Sequence, residues 1–79
     1  MTRLDILSKI TEIFHDVLDD ETVIINEATT ADDLEEWDSL NHVNIIASIE
    51  IEFDIKFEMS NYTNLKKISD IIDYIEEQI

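Results

Sequence analysis

Apolar residues in this chain return at steps of three and four, and that spacing commits most of its length to helix. Leu4, Leu7, Ile10, Phe14 and Val17 trace one stripe, with Ile6 and Ile13 beside it, on a helix of about residues 2 to 18. Lys9, Glu12 and Asp16 lie on or toward the other side. Leu65, Ile68, Ile71, Ile72 and Ile75 mark a last helix in the same way, with Asn64 as its expected cap. A second helix is expected from about Ser39 to Phe53, and it has two apolar faces. Ile45, Ile46, Ile49 and Phe53 share one; Leu40, Val43, Ala47 and Ile51 share a nearly opposite one. One stripe can be core. The other is left to solvent, a partner or a cargo, unless the bundle wraps around it. An apolar patch on a very acidic surface marks a binding face; the alternative is that Leu40 packs under the preceding loop with Val43 beside it. The chain contains neither Gly nor Pro, so its helix ends must rely on side-chain caps and on loops without left-handed glycines.

Between Asp19 and Trp37 the helical pattern breaks. Val23-Ile24-Ile25 is a short apolar run without a partner strand of similar character nearby, and it reads as loop that tucks side chains onto the bundle. Asn26 to Thr30 is polar and turn-like, and Leu34 and Trp37 are expected to anchor the far end. Loops this long in compact domains are often functional. After the second helix, Asp54-Ile55-Lys56-Phe57 is an extended connector whose Ile55 and Phe57 can cover the core. A short helical turn is expected from about Met59 to Asn64, among poor helix formers. The predicted fold is all-α: a small four-helix bundle of three main helices and a short third one, with a long first loop.

Seventy-nine residues make one domain, 1–79, with a small core. With 44% hydrophobic residues the chain can fold despite its charge. It has no cysteine, which excludes disulfides, thiolate metal sites and cysteine nucleophiles. The first residues lack the basic region and apolar core of a signal peptide, and no apolar run is long enough to span a bilayer. A cytoplasmic monomer is the expectation. Twenty acids against five bases give a net charge of −15, which repels nucleic acid and anionic membranes. That field favours partners with basic patches, although acidic surfaces also serve solubility alone.

Trp37-Asp38-Ser39-Leu40 stands at the start of the second helix. Asp38 is a good N-cap, its carboxylate accepting from free first-turn amides. Ser39 then falls at the first helical position with a short, exposed hydroxyl at the positive end of the macrodipole. An anion attached to that oxygen is stabilised by the dipole and by unpaired N–H groups. The site suits a serine carrying a phosphodiester better than a serine nucleophile.

These residues carry a resemblance. Asp38-Ser39-Leu40, the run Val43, Ile45, Ile46, Ile49, Glu50, Glu52-Phe53, and the tail Ile68 to Ile75 are similar to the acyl carrier proteins over nearly the whole chain. The resemblance implies 4′-phosphopantetheine joined to Ser39 by a separate phosphopantetheinyl transferase, and flanking roles for Asp38 and Leu40. It implies a carrier that catalyses nothing, holds acyl groups as thioesters on the arm, and delivers them to acyl-loading and acyl-transfer enzymes at high effective concentration. Docking would use Leu40, Asn41, Val43, Asn44, Ala47, Glu50 and Ile51. A growing acyl chain would tuck among Ile45, Ile46, Ile49, Phe57, Tyr62, Leu65 and Ile71, residues that also make a plain core. Compared with carriers of fatty acid synthesis, Trp37 stands where a small or polar residue is usual, and Asn41 and Asn44 stand where acids are usual. Residues 59–64 carry no charge, and Lys66 and Lys67 follow them. These departures point to a specialised free-standing carrier in a lipid, polyketide or glycan-acylation pathway. A housekeeping fatty-acid carrier and an aminoacyl or peptidyl carrier are the alternatives.

Other chemistries fare worse. Ser39, His42 and Asp38 lie within five residues, but Asp38 is committed to capping and no oxyanion loop or nucleophile-elbow pattern is present. His42 reads as a supporting or surface histidine and His15 as solvated or at the core's edge. The acids Asp32, Asp33, Glu35 and Glu36, and Asp19, Asp20 and Glu21, lack calcium-loop spacing, so no dedicated metal site is expected. An acidic nucleic-acid mimic has composition as its only support.

Overall fold

The computed structural model describes residues 1–58 and 64–79. Among the described residues there are three α-helices, α1 (Arg3–Leu18), α2 (Ser39–Phe53) and α3 (Ile68–Gln78), and one 3-10 turn, at Ala31–Asp33 in the long first loop. The expected helical turn from Met59, and the pocket candidate Tyr62, lie outside the described residues.

Helix α1 opens on a capping box. Thr2 Oγ1 accepts from the Asp5 amide, and the Asp5 carboxylate accepts from the Thr2 amide, each at 3.1 Å. Its buried face is Ile6, Ile10, Ile13 and Phe14, with Leu7 and Val17 half-buried. The predicted stripe is therefore corrected by one row: Leu4 is exposed, because the neighbouring helices cover the Ile6 side of the wheel. From α2, Ile45, Ile46 and Ile49 are fully buried; from α3, so are Ile68, Ile71, Ile72 and Ile75. Burying a branched aliphatic side chain stabilises the fold by about 1.5–3 kcal/mol.

The helix ends show how a glycine-free chain turns. Asp19 and Asp54 close α1 and α2 in the left-handed region, at φ 52° and 54°. Each cap amide reaches back to a helical carbonyl, His15 for α1 and Glu50 for α2. Aspartate tolerates this region better than most residues with a Cβ. The expectation of loops without left-handed glycines holds, but the left-handed conformation itself is used.

The first loop works as the cap of α3. Asn64 does not take that role; Lys67 occupies the N-cap position with no side-chain bond. Instead the Ile68 amide donates to the Thr29 carbonyl and the Ser69 amide to the Glu27 carbonyl, each at 3.0 Å. Ala31 N donates in turn to Lys66 O at 2.9 Å, and Thr30 and Lys67 form an isolated antiparallel bridge. Loop carbonyls thus satisfy amides that otherwise lack partners at a helix start. Of the Val23-Ile24-Ile25 run, Val23 and Ile25 are buried and Ile24 is exposed, so the run alternates rather than tucking in whole. Arg3 ties the N-terminus to this loop and to α3. Its guanidinium bonds Glu27 at 2.6 Å, Asp73 at 2.7 Å, and Glu76. On the other side, Phe57 is buried and stacks on Tyr74 with centroids 4.5 Å apart, and the Glu50 carboxylate accepts from the Phe57 amide at 2.8 Å.

Candidate functional site

The start of α2 is clamped from both sides. Asp38, extended at φ −91° and ψ −178°, accepts from the Asn41 amide through its carboxylate at 2.8 Å. Asn41 returns the clamp by donating its side-chain amide to the Glu36 carbonyl at 2.8 Å. The Asp38 carbonyl takes the first helical bond, from His42 N. Asp38 thereby satisfies Asn41, while Ser39 and Leu40 keep first-turn amides that no helical carbonyl can reach. Ser39 is exposed, and among the described residues no hydrogen bond holds its hydroxyl.

Behind that rim the chain is anchored deeply. Trp37 is 3% exposed and meets Phe14 edge to face, with centroids 4.9 Å apart and planes at 86°. Its indole N–H donates to His42 Nδ1 at 2.9 Å, which places the proton of a neutral His42 on Nε2. His42 is 6% exposed, so the reading of it as a surface histidine is corrected: one turn into α2 it points inward, where the indole donor satisfies it. This also removes the catalytic triad. Nδ1 faces an N–H donor and Asp38 faces the Asn41 amide, so the aspartate does not orient the imidazole. His15, half-buried with Nε2 2.7 Å from the Val23 carbonyl, sits at the core's edge.

The second stripe of α2 points outward. Leu40 is 74%, Val43 52% and Ile51 83% exposed; Ala47 and Asn44 are exposed beside them. Asn41 and Glu50, grouped with these in the sequence, are half-buried and hold the Glu36 carbonyl and the Phe57 amide. Of the pocket candidates, Ile45, Ile46, Ile49, Phe57, Leu65 and Ile71 all belong to one buried core cluster.

A cleft of ≈ 380 Å³ opens beside Ser39, with Ala31, Trp37, His42 and Val43 in its walls and Asp32, Asp38 and Lys66 around its rim. The sequence did not single out Ala31 or Lys66 for this place. Their pairing depends on the Ala31–Lys66 backbone bond between distant segments, which leaves no periodic trace. Among the described residues no group of His, Asp and Glu could hold a metal ion, and no helix is long and apolar enough to cross a membrane.

Glu36, three residues before Ser39, has its carboxyl above the ordinary 4.5, through lost hydration first and then the nearby Asp20 carboxylate. A raised acid contributes stability below its unfolded value, and that contribution is lost as pH rises through the folded value. Glu36→Gln is therefore expected to raise the melting temperature slightly near neutrality, with the gain vanishing below 4.5. Melting curves across this range would contradict the assignment if the gain grew on acidification.

The family model described as "Phosphopantetheine attachment site" matches residues 8–75. The acyl carrier protein of Thermotoga maritima is 33% identical over 79 residues, covering 99% of this chain and 96% of that protein. The acyl carrier protein of Streptococcus pneumoniae serotype 4 is 36% identical over 73 residues, covering 92% of this chain and 95% of that one. In structure, the chain is similar to the solution NMR structure of holo acyl carrier protein from Geobacter metallireducens. The TM-score is 0.82 at 36% identity, covering 91% of this chain and 83% of that one.

Proposed function

The chain belongs to the acyl carrier proteins, carriers rather than enzymes that hold acyl groups on covalent 4′-phosphopantetheine, and from that premise we propose that Ser39 Oγ is the attachment point. The observation that carries this reading is the exposed Ser39 at the first position of α2, capped by Asp38. The residues present fit a phosphodiester. The hydroxyl is open to a transferase, two first-turn amides have no helical acceptor, and the macrodipole favours negative charge there. The attached arm supplies a terminal thiol that holds the acyl group as a thioester. This chain's own part is to present Ser39 on a rigid rim: Asp38 and Asn41 fix the turn, and Trp37 bolts it to the core. Incubation with coenzyme A and a phosphopantetheinyl transferase should add one arm, and fragmentation mass spectrometry should place it on Ser39. An arm found on another residue overturns the assignment.

Delivery needs partners. Phosphopantetheinyl transferase and acyl-handling enzymes with basic docking patches would meet the outward α2 stripe of Leu40, Val43, Ala47 and Ile51, drawn by the net charge of −15. A loaded acyl chain would part the core around Ile45, Ile49, Phe57 and Leu65. The pathway we favour is a specialised one of lipid, polyketide or glycan acylation, since Asn41 and Asn44 present no charge on α2 where fatty-acid carriers have acids. Val43→Asp should slow modification or acyl transfer by about tenfold, the scale of one interface residue costing above 1 kcal/mol. Its melting temperature should shift little, because Val43 is already half-exposed. A large loss of stability with transfer intact would assign the stripe to the core.

A further inference from the structure

Resting on the Ser39 reading, we propose that the cleft beside Ser39 is a resting site for the pantetheine arm, with the Lys66 ammonium as counter-ion to its phosphodiester. The cleft begins at Ser39 itself, so an arm attached there enters it without crossing open surface. Its ≈ 380 Å³ falls within the ~300–1,000 Å³ typical of small-molecule pockets. Ala31, Trp37 and Val43 give it apolar walls suited to the arm's geminal dimethyl segment, while Ser39, Asp38 and Asp32 give it a polar mouth.

Charge selects the occupant. A phosphodiester on Ser39 stands beside Asp38 and Asp32, in a chain with twenty acids and five bases. Two of those bases, Arg3 and Lys9, are already paired with carboxylates. Lys66 lies on the rim of this cleft, exposed, and makes no ion pair among the described residues. Its position is held by its backbone: Lys66 O accepts from the N–H of Ala31, which also lines the cleft, and Trp37 is fixed by Phe14 and His42. Both walls are therefore set before any arm is attached, and the ordering cost of binding falls mainly on the arm. The site is distinct from the buried core around Ile45, Ile49 and Ile71, where a long acyl chain would go.

The test uses isotope-labelled protein carrying an unlabelled arm, with attachment checked first by intact mass. Filtered NOE spectra should connect the arm's geminal methyl protons to the Val43 and Ala31 methyl groups. Lys66→Glu should weaken these contacts by about fivefold, the scale of an exposed charge pair, and Lys66→Arg should retain them. The exposed side chain and unchanged backbone bond predict normal folding of both variants, and matching amide spectra of their unmodified forms check it. Arm attached but without these contacts, or contacts equally strong in Lys66→Glu, overturns the proposal and leaves the attachment site standing. Failure to gain an arm at all overturns the Ser39 reading instead.

Discussion

Ser39→Ala should yield a folded protein that accepts no arm. The substitution removes the only oxygen proposed to form the bond to phosphorus, so the loss is complete rather than graded. Folding should be unaffected: the hydroxyl is exposed and makes no bond among the described residues, the cap belongs to Asp38, and alanine is the best helix former. A stability change within about 0.5 kcal/mol is the expectation for such a surface position. The protein contains its own control. Ser69 also sits in a helix's first turn and is also followed by regular helix, but the amides around it are taken by the Thr29 and Glu27 carbonyls. Ser69→Ala should therefore be modified at the wild-type rate. Intact mass after incubation with coenzyme A and a transferase, with circular dichroism on the same samples, reads both outcomes. An arm on Ser39→Ala would show that an open helix terminus is not what selects the serine.

The contrast between these two helix starts explains what could be read from the sequence. Helix α2 begins and ends where expected, because its signals are local: a capping aspartate, an apolar period, and an end at Asp54. The outward Leu40, Val43 and Ile51 were visible for the same reason, since a helix with two apolar faces buries only one in a small bundle. The start of α3 was not visible. Asn64 is a good local cap, yet the amides are met by carbonyls far upstream, and no spacing rule records that. On α1, two adjacent apolar rows have the same period, and only the positions of the neighbouring helices decide that Ile6 is buried and Leu4 is not. For His42 the sequence left a supporting and a surface role open, and the structure selects the supporting one. Its burial depends on Trp37, which lies outside the helix and so outside any helical wheel.

Trp37→Ala is expected to cost about 3–5 kcal/mol, the range for deleting a large aromatic side chain from a core. Trp37 is 3% exposed, loses its edge-to-face contact with Phe14, and leaves His42 Nδ1 buried without the indole donor. Domains have roughly 0.05–0.15 kcal/mol of stability per residue, so a chain this short spends a large share of its total on one residue. The melting temperature should fall by roughly 12–40 °C, at about 4–8 °C per kcal/mol for a domain of this size. Trp37→Phe separates the two contributions. It keeps an aromatic ring against Phe14 and removes the hydrogen bond, so its cost should be nearer the ~1–3 kcal/mol of an unsatisfied buried acceptor. The same pair of variants bears on function, because Trp37 stands two residues before Ser39 and supports its turn. At a temperature where Trp37→Phe is fully folded, slower arm attachment than in the wild type would mean that the indole–imidazole bond positions Ser39 for the transferase. An unchanged rate would confine that bond to stability. A loss below about 1 kcal/mol in Trp37→Ala, by thermal or urea unfolding, would contradict the anchoring of this rim through the core.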